Sequence, residues 1–199
     1  MKVTRLPVDP GVTGWNAVLP AAQTPEKLED KLVADWLIIG GGFAGLAACR
    51  RLAQLHPGDR IVLLEATRIG EGPAGRNSGF MIDLPHDLAS DDYGGAIDKD
   101  AAQTRANRAG IQFAAEMAAD YGLSDEAFSA SGKVNAAAGA TGHQHNVDYA
   151  RHLSQMGEAH EMLDRAQMQE MTGTSYYCGG LFTPGTVIIQ PAMFVRGVA

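Results

Sequence analysis

Residues 35–79 decide the fold, and they read DWLIIGGGFAGLAACRRLAQLHPGDRIVLLEATRIGEGPAGRNSG. The stretch divides into a short apolar run, a glycine turn, a helical pattern and a second apolar run, which occupy residues 36–39, 40–45, 46–55 and 61–64. The second run ends on Glu65, about 20 residues after Gly45, which is the spacing of a dinucleotide-binding βαβ unit. The sequence therefore predicts a strand, a tight turn, a helix and a parallel strand that ends on an acid.

Each glycine of the predicted turn has its own physical role. Gly40 lets the chain turn sharply, because it lacks the Cβ that disfavours positive φ. Gly42 lets the backbone approach a pyrophosphate, and Gly45 lets the helix pack closely on the strand. The first helical turn offers N–H groups without internal partners and the positive end of the helix dipole, so it favours a phosphate. Glu65 is placed to accept hydrogen bonds from ribose hydroxyls, and its charge makes a 2′-phosphate, and hence NADP, a poor fit.

The residues after Glu65 bear on which dinucleotide is bound. A G-x-G-x-x-G pattern alone is a weak signal in a chain with 24 glycines, but here the strand, the helix and the spaced acid accompany it. Residues 66–79 form a glycine-rich loop with two arginines. A simple NAD domain has no evident need for this loop, whereas a cofactor with an extended second half does. An NAD-dependent dehydrogenase nevertheless stays open as an alternative.

Three stretches carry a resemblance to a known family: IIGGGFAGLAA, LLEATRIGEG and AGRNSGF. They resemble the D-amino-acid-oxidase-like FAD-dependent oxidoreductases, and in particular the branch of amine oxidases that includes gamma-glutamylputrescine oxidase. That branch commonly has G-A-S-G-R-N-G-G at the third stretch. Here Pro73 and Ala74 stand where Ala and Ser are usual, and Ser78 replaces the first of the last two glycines. The resemblance is strong over residues 35–80 and weaker but continuous afterwards.

The resemblance implies FAD as the cofactor and an α/β fold. The expected architecture is a Rossmann-like FAD-binding βαβ domain with part of an α+β substrate domain, completed by a C-terminal half missing from this chain. The candidate cofactor-binding residues are Gly40, Gly42, Phe43, Ala44, Gly45, Glu65, Ala66, Ala74, Arg76, Asn77, Ser78 and Gly79. The loop from Arg76 to Phe80 is expected to reach toward the isoalloxazine. Arg76 is expected to tie its loop to a carboxylate rather than to act on the flavin, and no catalytic residue is identifiable.

The resemblance also implies the reaction, which is oxidation of an amine or amino acid by hydride transfer from a neutral amine to the flavin. The enzyme is expected to be an oxidase or a dehydrogenase. Members of the family are usually much longer, so we expect this chain to be the N-terminal half or one chain of the enzyme, with a second polypeptide that carries the C-terminal half. A non-catalytic FAD-binding subunit is the remaining alternative.

Composition excludes several classes of function. The net charge of −7 argues against a polyanion-binding surface, so nucleic acid is not an expected partner. No apolar run is long enough to span a membrane, and the N-terminus lacks the apolar stretch of a signal peptide. Two cysteines, Cys49 and Cys178, fit a reducing cytoplasm. His143 and His145 lie on a predicted helix, where i and i+2 point apart, so no metal site is expected.

Hydrophobic patterns predict the remaining elements. A long helix is expected over residues 96–121, with Gly122 as its stop and Arg108 in solvent. Further strands and helices are expected at 133–137, 141–157, 162–164, 165–171, 176–182 and 186–189, and a last helix follows Pro191. His86 and Asp87 are expected in a solvated loop.

The predicted domain organisation has four parts. Residues 1–34 form an N-terminal arm, 35–125 the first part of the FAD-binding domain, 126–184 a partial substrate domain, and 185–199 a segment that returns to the FAD-binding domain. In the arm, Trp15 is expected to act as a packing anchor, and Thr24 is expected to cap a short helix.

Overall fold

The computed structural model describes residues 11–22, 24–86, 90 and 94–199. The chain divides into two compact units, Met1–Ser78 with Gln190–Ala199, and Gly79–Ile189. The predicted domains were defined by the cofactor and the substrate that they are expected to bind. These domain assignments therefore stay predictions. In the described part of the chain, no helix combines the length and the apolar character that a membrane crossing requires. Asp87 lies outside the described residues.

The first unit contains the predicted βαβ arrangement. Its elements are α1 (Gly14–Ala17), β1 (Trp36–Ile39), α2 (Phe43–Leu55), β2 (Ile61–Leu64), a 3₁₀ turn (Pro73–Gly75) and α6 (Pro191–Gly197). Strands β1 and β2 are parallel, with Trp36 opposite Ile61 and Ile39 opposite Leu64. Parallel pairing requires a crossover connection, which α2 provides, and the observed pairing confirms the prediction from residues 35–65.

The helix predicted at Thr24 is wrong, because residues 24–30 contain no helix. The short helix of the arm lies earlier, at α1, where the Thr13 side chain accepts a hydrogen bond from the Asn16 N–H. Both threonines suit an N-cap by type. The residues of α1 also bond to distant parts of the first unit, and that support is not visible in the local sequence.

The second unit is built from two antiparallel three-stranded sheets and three helices among the described residues. Its strands are β3 (Phe80–Met81), β4 (Phe128–Ser129), β5 (Lys133–Ala137), β6 (Glu161–Leu163), β7 (Gly179–Thr183) and β8 (Val187–Ile189). Its helices are α3 (Ile97–Asp120), α4 (Ala140–Met156) and α5 (Arg165–Thr172). The sheet orders are β3-β8-β4 and β5-β7-β6. The predicted elements of this region are present with small shifts of their ends.

Local signals explain where these helices begin and end. Asp164 and Gln167 form a capping box at the start of α5. Gly157 and Gly173 end α4 and α5 in the left-handed conformation, which glycine adopts without strain. Gly122 follows α3 with positive φ, as expected from the sequence.

Helix α3 buries a different face in its first half than its apolar pattern predicts. Ala114, Met117 and Ala118 are buried as expected, but in the first turns the buried residues are Asp100 and Thr104. Asp100 lies 2.9 Å from Nε2 of His152 on α4 and accepts from the Gly95 N–H. A buried carboxylate with two such partners is tolerated, so polar residues occupy part of the packed face.

Candidate functional site

The glycine turn between β1 and α2 is sharp and closely packed. Gly40 has φ +103°, which disfavours any other residue, and its N–H donates to the Leu64 carbonyl at 2.7 Å. A Cβ on Gly45 would overlap the Gly40 carbonyl oxygen. Gly42 is the N-cap of α2 with φ −87° and no side-chain cap, so the N–H groups of the first turn face outward without competition from a side chain.

Glu65 is held against this turn by its own carboxylate. The Gly41 N–H donates to Glu65 Oε2 at 2.8 Å, and the Thr67 N–H donates to Glu65 Oε1 at 3.2 Å. A carboxylate has about four acceptor sites, so two remain for ribose hydroxyls. The sequence predicted Glu65 at the end of β2. The structure shows in addition that the Glu65 carboxylate stabilises the glycine turn.

The glycine-rich loop folds back over the start of α2. A Cβ on Gly42 would meet the Ala74 methyl group at 3.5 Å, which is ordinary contact, so Ala74 lies beside the N-cap. Gly70 and Gly75 are buried, and a Cβ on Gly75 would overlap the Gly70 carbonyl oxygen. The loop is therefore tightly closed at its base, which only glycine at these positions allows.

Arg76 and Asn77 hold the loop through backbone carbonyls. Arg76 Nε donates to the Glu71 carbonyl at 2.7 Å, and one of its terminal nitrogens donates to the Gly11 carbonyl at 2.6 Å. Asn77 Nδ2 donates to the Ala74 carbonyl at 2.8 Å. These contacts favour a role in shaping the loop, while a direct role of Arg76 or Asn77 toward a flavin stays a prediction.

The structure brings together part of the predicted cofactor-binding set. The turn glycines, Glu65 and Ala74 lie around the N-terminus of α2. The Phe43 ring lies 6.2 Å from the Phe194 ring of α6. Ala44 lies in the first turn of α2 and is exposed, as are Ala66 and Ser78. Gly79 belongs to the second unit, where its carbonyl accepts from the Ile189 N–H.

This arrangement fits the pyrophosphate and first ribose of a dinucleotide. Within 4 Å of a Cβ built on Gly42, the described residues place only the Ala74 methyl group. The helix N-terminus carries partial positive charge, and Glu65 offers acceptor sites at the same turn. The residues that would hold FAD are therefore the first turn of α2 for the pyrophosphate and Glu65 for the ribose.

We expect Glu65→Gln to weaken FAD binding without abolishing it. The amide keeps one oxygen for a ribose hydroxyl but sets an NH₂ group against the donors of Gly41 or Thr67. The expected loss is about 1–3 kcal/mol, the contribution of a hydrogen bond to a charged group. Titration of the FAD-free protein measures it. Glu71→Gln is the matched control, because Glu71 pairs with Arg68 at the surface and should leave affinity unchanged.

The second unit contains a polar cluster that the sequence analysis did not predict. Arg108 of α3 is exposed as expected, and its guanidinium also pairs with Asp83 at 2.9 Å and with Glu158 at 2.6 Å. Asp83 is fully buried, and the hydrogen bonds that the guanidinium donates to Glu158 and to Asp83 raise the pKa of Arg108. The three residues lie far apart in sequence, so no local pattern could have joined them.

His86 was expected in a solvated loop, but the structure shows it half-buried among polar and aromatic side chains. Lys133 Nζ lies 3.0 Å from Nδ1 and 3.1 Å from Nε2 of His86, whose ring is 4.9 Å from the Tyr149 ring. Burial, with the neighbouring Lys133 charge, lowers the pKa of His86 to about 4. Burial lowers the pKa of Lys133 to about 8, while the charge of Asp83 acts in the opposite direction. At neutral pH the cluster thus holds a charged lysine against a neutral imidazole.

Lys133 should make the unfolding free energy rise with pH above about 8. Its pKa of about 8 in the folded protein lies below the ordinary value of about 10.4. Between these values the unfolded chain holds a proton that the folded chain has released, so stability rises with pH. We expect Lys133→Met to remove this rise in urea unfolding midpoints, whereas Lys99→Met, at an exposed position of α3, retains it. Identical pH profiles for the two variants would contradict the assignment.

Several known proteins are similar to this chain in sequence. A family model described as "DAO: FAD dependent oxidoreductase" matches residues 35–199. The probable oxidoreductase OrdL of Rhizobium meliloti (strain 1021) is 28% identical over 204 residues, which cover 97% of this chain and 45% of that protein. Gamma-glutamylputrescine oxidoreductase of Escherichia coli (strain K12) is 39% identical over 57 residues, or 29% of this chain and 13% of that protein.

Solved structures share the fold. Glycine oxidase from Geobacillus kaustophilus superposes with a TM-score of 0.63 at 18% identity, over 83% of this chain and 43% of that one. This similarity confirms the predicted fold class. The chain spans less than half the length of the curated relatives it matches. Since the family model covers the chain from residue 35 to its last residue, the chain belongs to the DAO family of FAD-dependent oxidoreductases.

Proposed function

We propose that this chain supplies the pyrophosphate- and ribose-binding part of the FAD site in an enzyme that oxidises an amine or amino acid. One observation carries the proposal: the uncapped N-terminus of α2 opens beside Gly42, with the Glu65 carboxylate bonded to the same turn. Family membership selects FAD over the NAD alternative. The predicted contacts of Ala44, Ala66, Arg76, Asn77, Ser78 and Gly79 with FAD belong to this proposal.

The residues of the first unit have separate tasks in this function. The first-turn N–H groups of α2 neutralise the pyrophosphate, since the helix dipole adds to their partial positive charge. Glu65 receives the ribose hydroxyls and orients the adenosine end. A bound FAD would supply the hydride acceptor for oxidation of a neutral amine at its α C–H. The glycine-rich loop covers the start of α2 and limits the access of water to the bound phosphates.

Related proteins support the amine or amino-acid class of substrate. Three of them are named gamma-glutamylputrescine oxidoreductase, glycine oxidase and iminodiacetate oxidase, and each name describes an enzyme that acts on an amine. Another protein of the same fold is an L-alpha-glycerophosphate oxidase, which by name acts on an alcohol. The substrate class of this chain is therefore part of the proposal and needs its own test.

We also propose that a second polypeptide completes the FAD domain by covering β1. Leu37 and Ile39 are 58% and 83% exposed, although they lie on the apolar strand β1. Apolar strand surface of this kind is unfavourable in water and is normally paired or covered. We expect the interface to exceed about 2,000 Å², as obligate interfaces do. A cytoplasmic location completes the proposal, as two cysteines suit a reducing compartment.

Flavin spectroscopy of the purified assembly tests the cofactor and the reaction separately. We expect yellow protein that releases free FAD on acid precipitation, and anaerobic bleaching by glycine, sarcosine or a putrescine-derived amine. Colourless active protein with tightly bound nicotinamide would overturn the FAD assignment. Bleaching by glycerol 3-phosphate alone would overturn the substrate class, and FAD that no substrate bleaches would identify a non-catalytic subunit.

Expression of residues 1–199 alone tests the second polypeptide. We expect low solubility or self-association in sedimentation, and little bound FAD. Ile39→Lys should improve the solubility of the isolated chain, because residue 39 is exposed there, and should prevent assembly with the partner. A soluble monomer that binds FAD stoichiometrically and oxidises an amine would refute the proposal.

A further inference from the structure

Residues 11–16 of the N-terminal arm contact the glycine-rich loop, although the family match begins only at residue 35. We propose that Trp15 and Asn16 are positioning residues that hold this loop in its FAD-binding conformation. The proposal rests on the proposed function of the loop as part of the FAD site. It assigns a role in cofactor binding to a segment outside the family model.

The two ends of the loop are bonded to neighbouring residues of α1. Asn16 Nδ2 donates to the Gly70 carbonyl at 2.7 Å, and Trp15 Nε1 donates to the Asn77 carbonyl at 2.8 Å. A third bond runs in the opposite direction, from the Arg76 guanidinium to the Gly11 carbonyl. Because residues 15 and 16 are adjacent, these bonds fix the distance between the beginning and the end of the loop.

The arm is itself held in place by hydrogen bonds, so it can hold the loop in a fixed position. The Thr13 hydroxyl accepts from the Asn16 N–H at 3.1 Å and from Asn16 Nδ2 at 3.2 Å, which orients the Asn16 amide. Gln190 at the start of α6 donates to the Trp15 carbonyl at 2.8 Å. Arg196 in the last turn of α6 donates to the Pro20 carbonyl at 2.8 Å.

The contact made by Asn16 lies where the loop is most tightly packed. Gly70 is buried with φ +80°, and Gly75 packs against its carbonyl oxygen. Ala74, next to Gly75, lies beside the N-cap Gly42 where the pyrophosphate is expected. Loss of the Asn16 donor removes a hydrogen bond from a buried carbonyl, and the segment that carries Ala74 loosens.

Two substitutions test the proposal in the assembly that binds FAD. We expect Asn16→Ala and Trp15→Phe each to weaken FAD binding about tenfold, the effect of losing one hydrogen bond. The visible circular dichroism of the bound flavin should change, since the loop shifts around it. In FAD-free protein, trypsin should cut faster at Arg68 and Arg76 of the loop. Asn16→Gln retains an amide donor and should restore part of the affinity.

Trp36→Phe is the matched control for Trp15→Phe. Trp36 Nε1 donates to Asp59 at 2.8 Å, so the same substitution removes the same kind of bond in the same unit without touching the loop. We expect Trp36→Phe to leave FAD affinity and the trypsin pattern unchanged. Thermal unfolding midpoints of all variants separate a local effect on the loop from a general loss of stability.

The possible outcomes of these experiments distinguish the role of the arm in holding the loop from its role in binding FAD. Unchanged trypsin cleavage in the two arm variants would show that the arm does not hold the loop. Faster cleavage with unchanged FAD affinity and flavin dichroism would show that the arm holds the loop without serving the cofactor. A wild-type assembly that binds no FAD would instead overturn the proposed function, and the trypsin comparison would still decide whether the arm fixes the loop.

Discussion

Gly42→Val is expected to abolish FAD binding while the protein stays folded. Gly42 has φ −87° and ψ −172°, an extended conformation that any residue adopts, and a Cβ there meets only the Ala74 methyl group at 3.5 Å. The protein therefore tolerates a side chain, but the approach of the pyrophosphate to the helix N-terminus does not. We expect affinity to fall at least about a hundredfold, or ~3 kcal/mol, in FAD titrations.

Two variants make this experiment specific. Gly42→Ala adds only the Cβ, so it should reduce affinity with the same sign and an unchanged thermal midpoint. Gly58→Val adds the same side chain to the α2–β2 connection, where a Cβ meets nothing within 4 Å, and should bind FAD normally. Full flavin occupancy in Gly42→Val would show that the backbone does not approach the pyrophosphate at this residue.

Gly45→Ala is expected to destabilise the protein itself. A Cβ at residue 45 would overlap the carbonyl oxygen of Gly40 and lie 3.4 Å from Ile38 Cγ2 of β1. Because a backbone carbonyl cannot rotate away as a side chain does, α2 must move from the strand. We expect a loss of about 3 kcal/mol or more in the free energy of unfolding, at the upper end of overpacking effects, measured by urea denaturation without FAD.

Gly110→Ala provides the matched control, because it is the same substitution inside a helix. A Cβ at residue 110 of α3 meets nothing within 4 Å. Alanine favours a helix over glycine by about 1 kcal/mol, so this variant should be as stable as the wild type or more stable. Equal stability of Gly45→Ala and wild type would refute the close packing of α2 on β1 at this glycine.

The amino-acid sequence by itself determined the βαβ unit and the candidate cofactor site within it. Apolar runs, the glycine turn and the spaced Glu65 are local features, and they set β1, α2 and β2 within a few residues. The long helix was predicted at 96–121 and lies at Ile97–Asp120. Capping residues and helix-ending glycines are also local, since they act through bonds to residues only a few positions away.

Only the tertiary structure decided which distant groups meet. Thr13 rather than Thr24 caps a helix, because α1 is also bonded to the glycine-rich loop and to α6. Arg108 is exposed as expected, but its pairing with Asp83 and Glu158, from distant parts of the chain, was not predicted. Hydrophobic periodicity indicates which face of a helix or strand is apolar. An ion pair, or a hydrogen bond to a backbone carbonyl, between residues remote in sequence depends instead on how the elements pack together. The link between Trp15, Asn16 and the loop is of this kind, and no local pattern contains it.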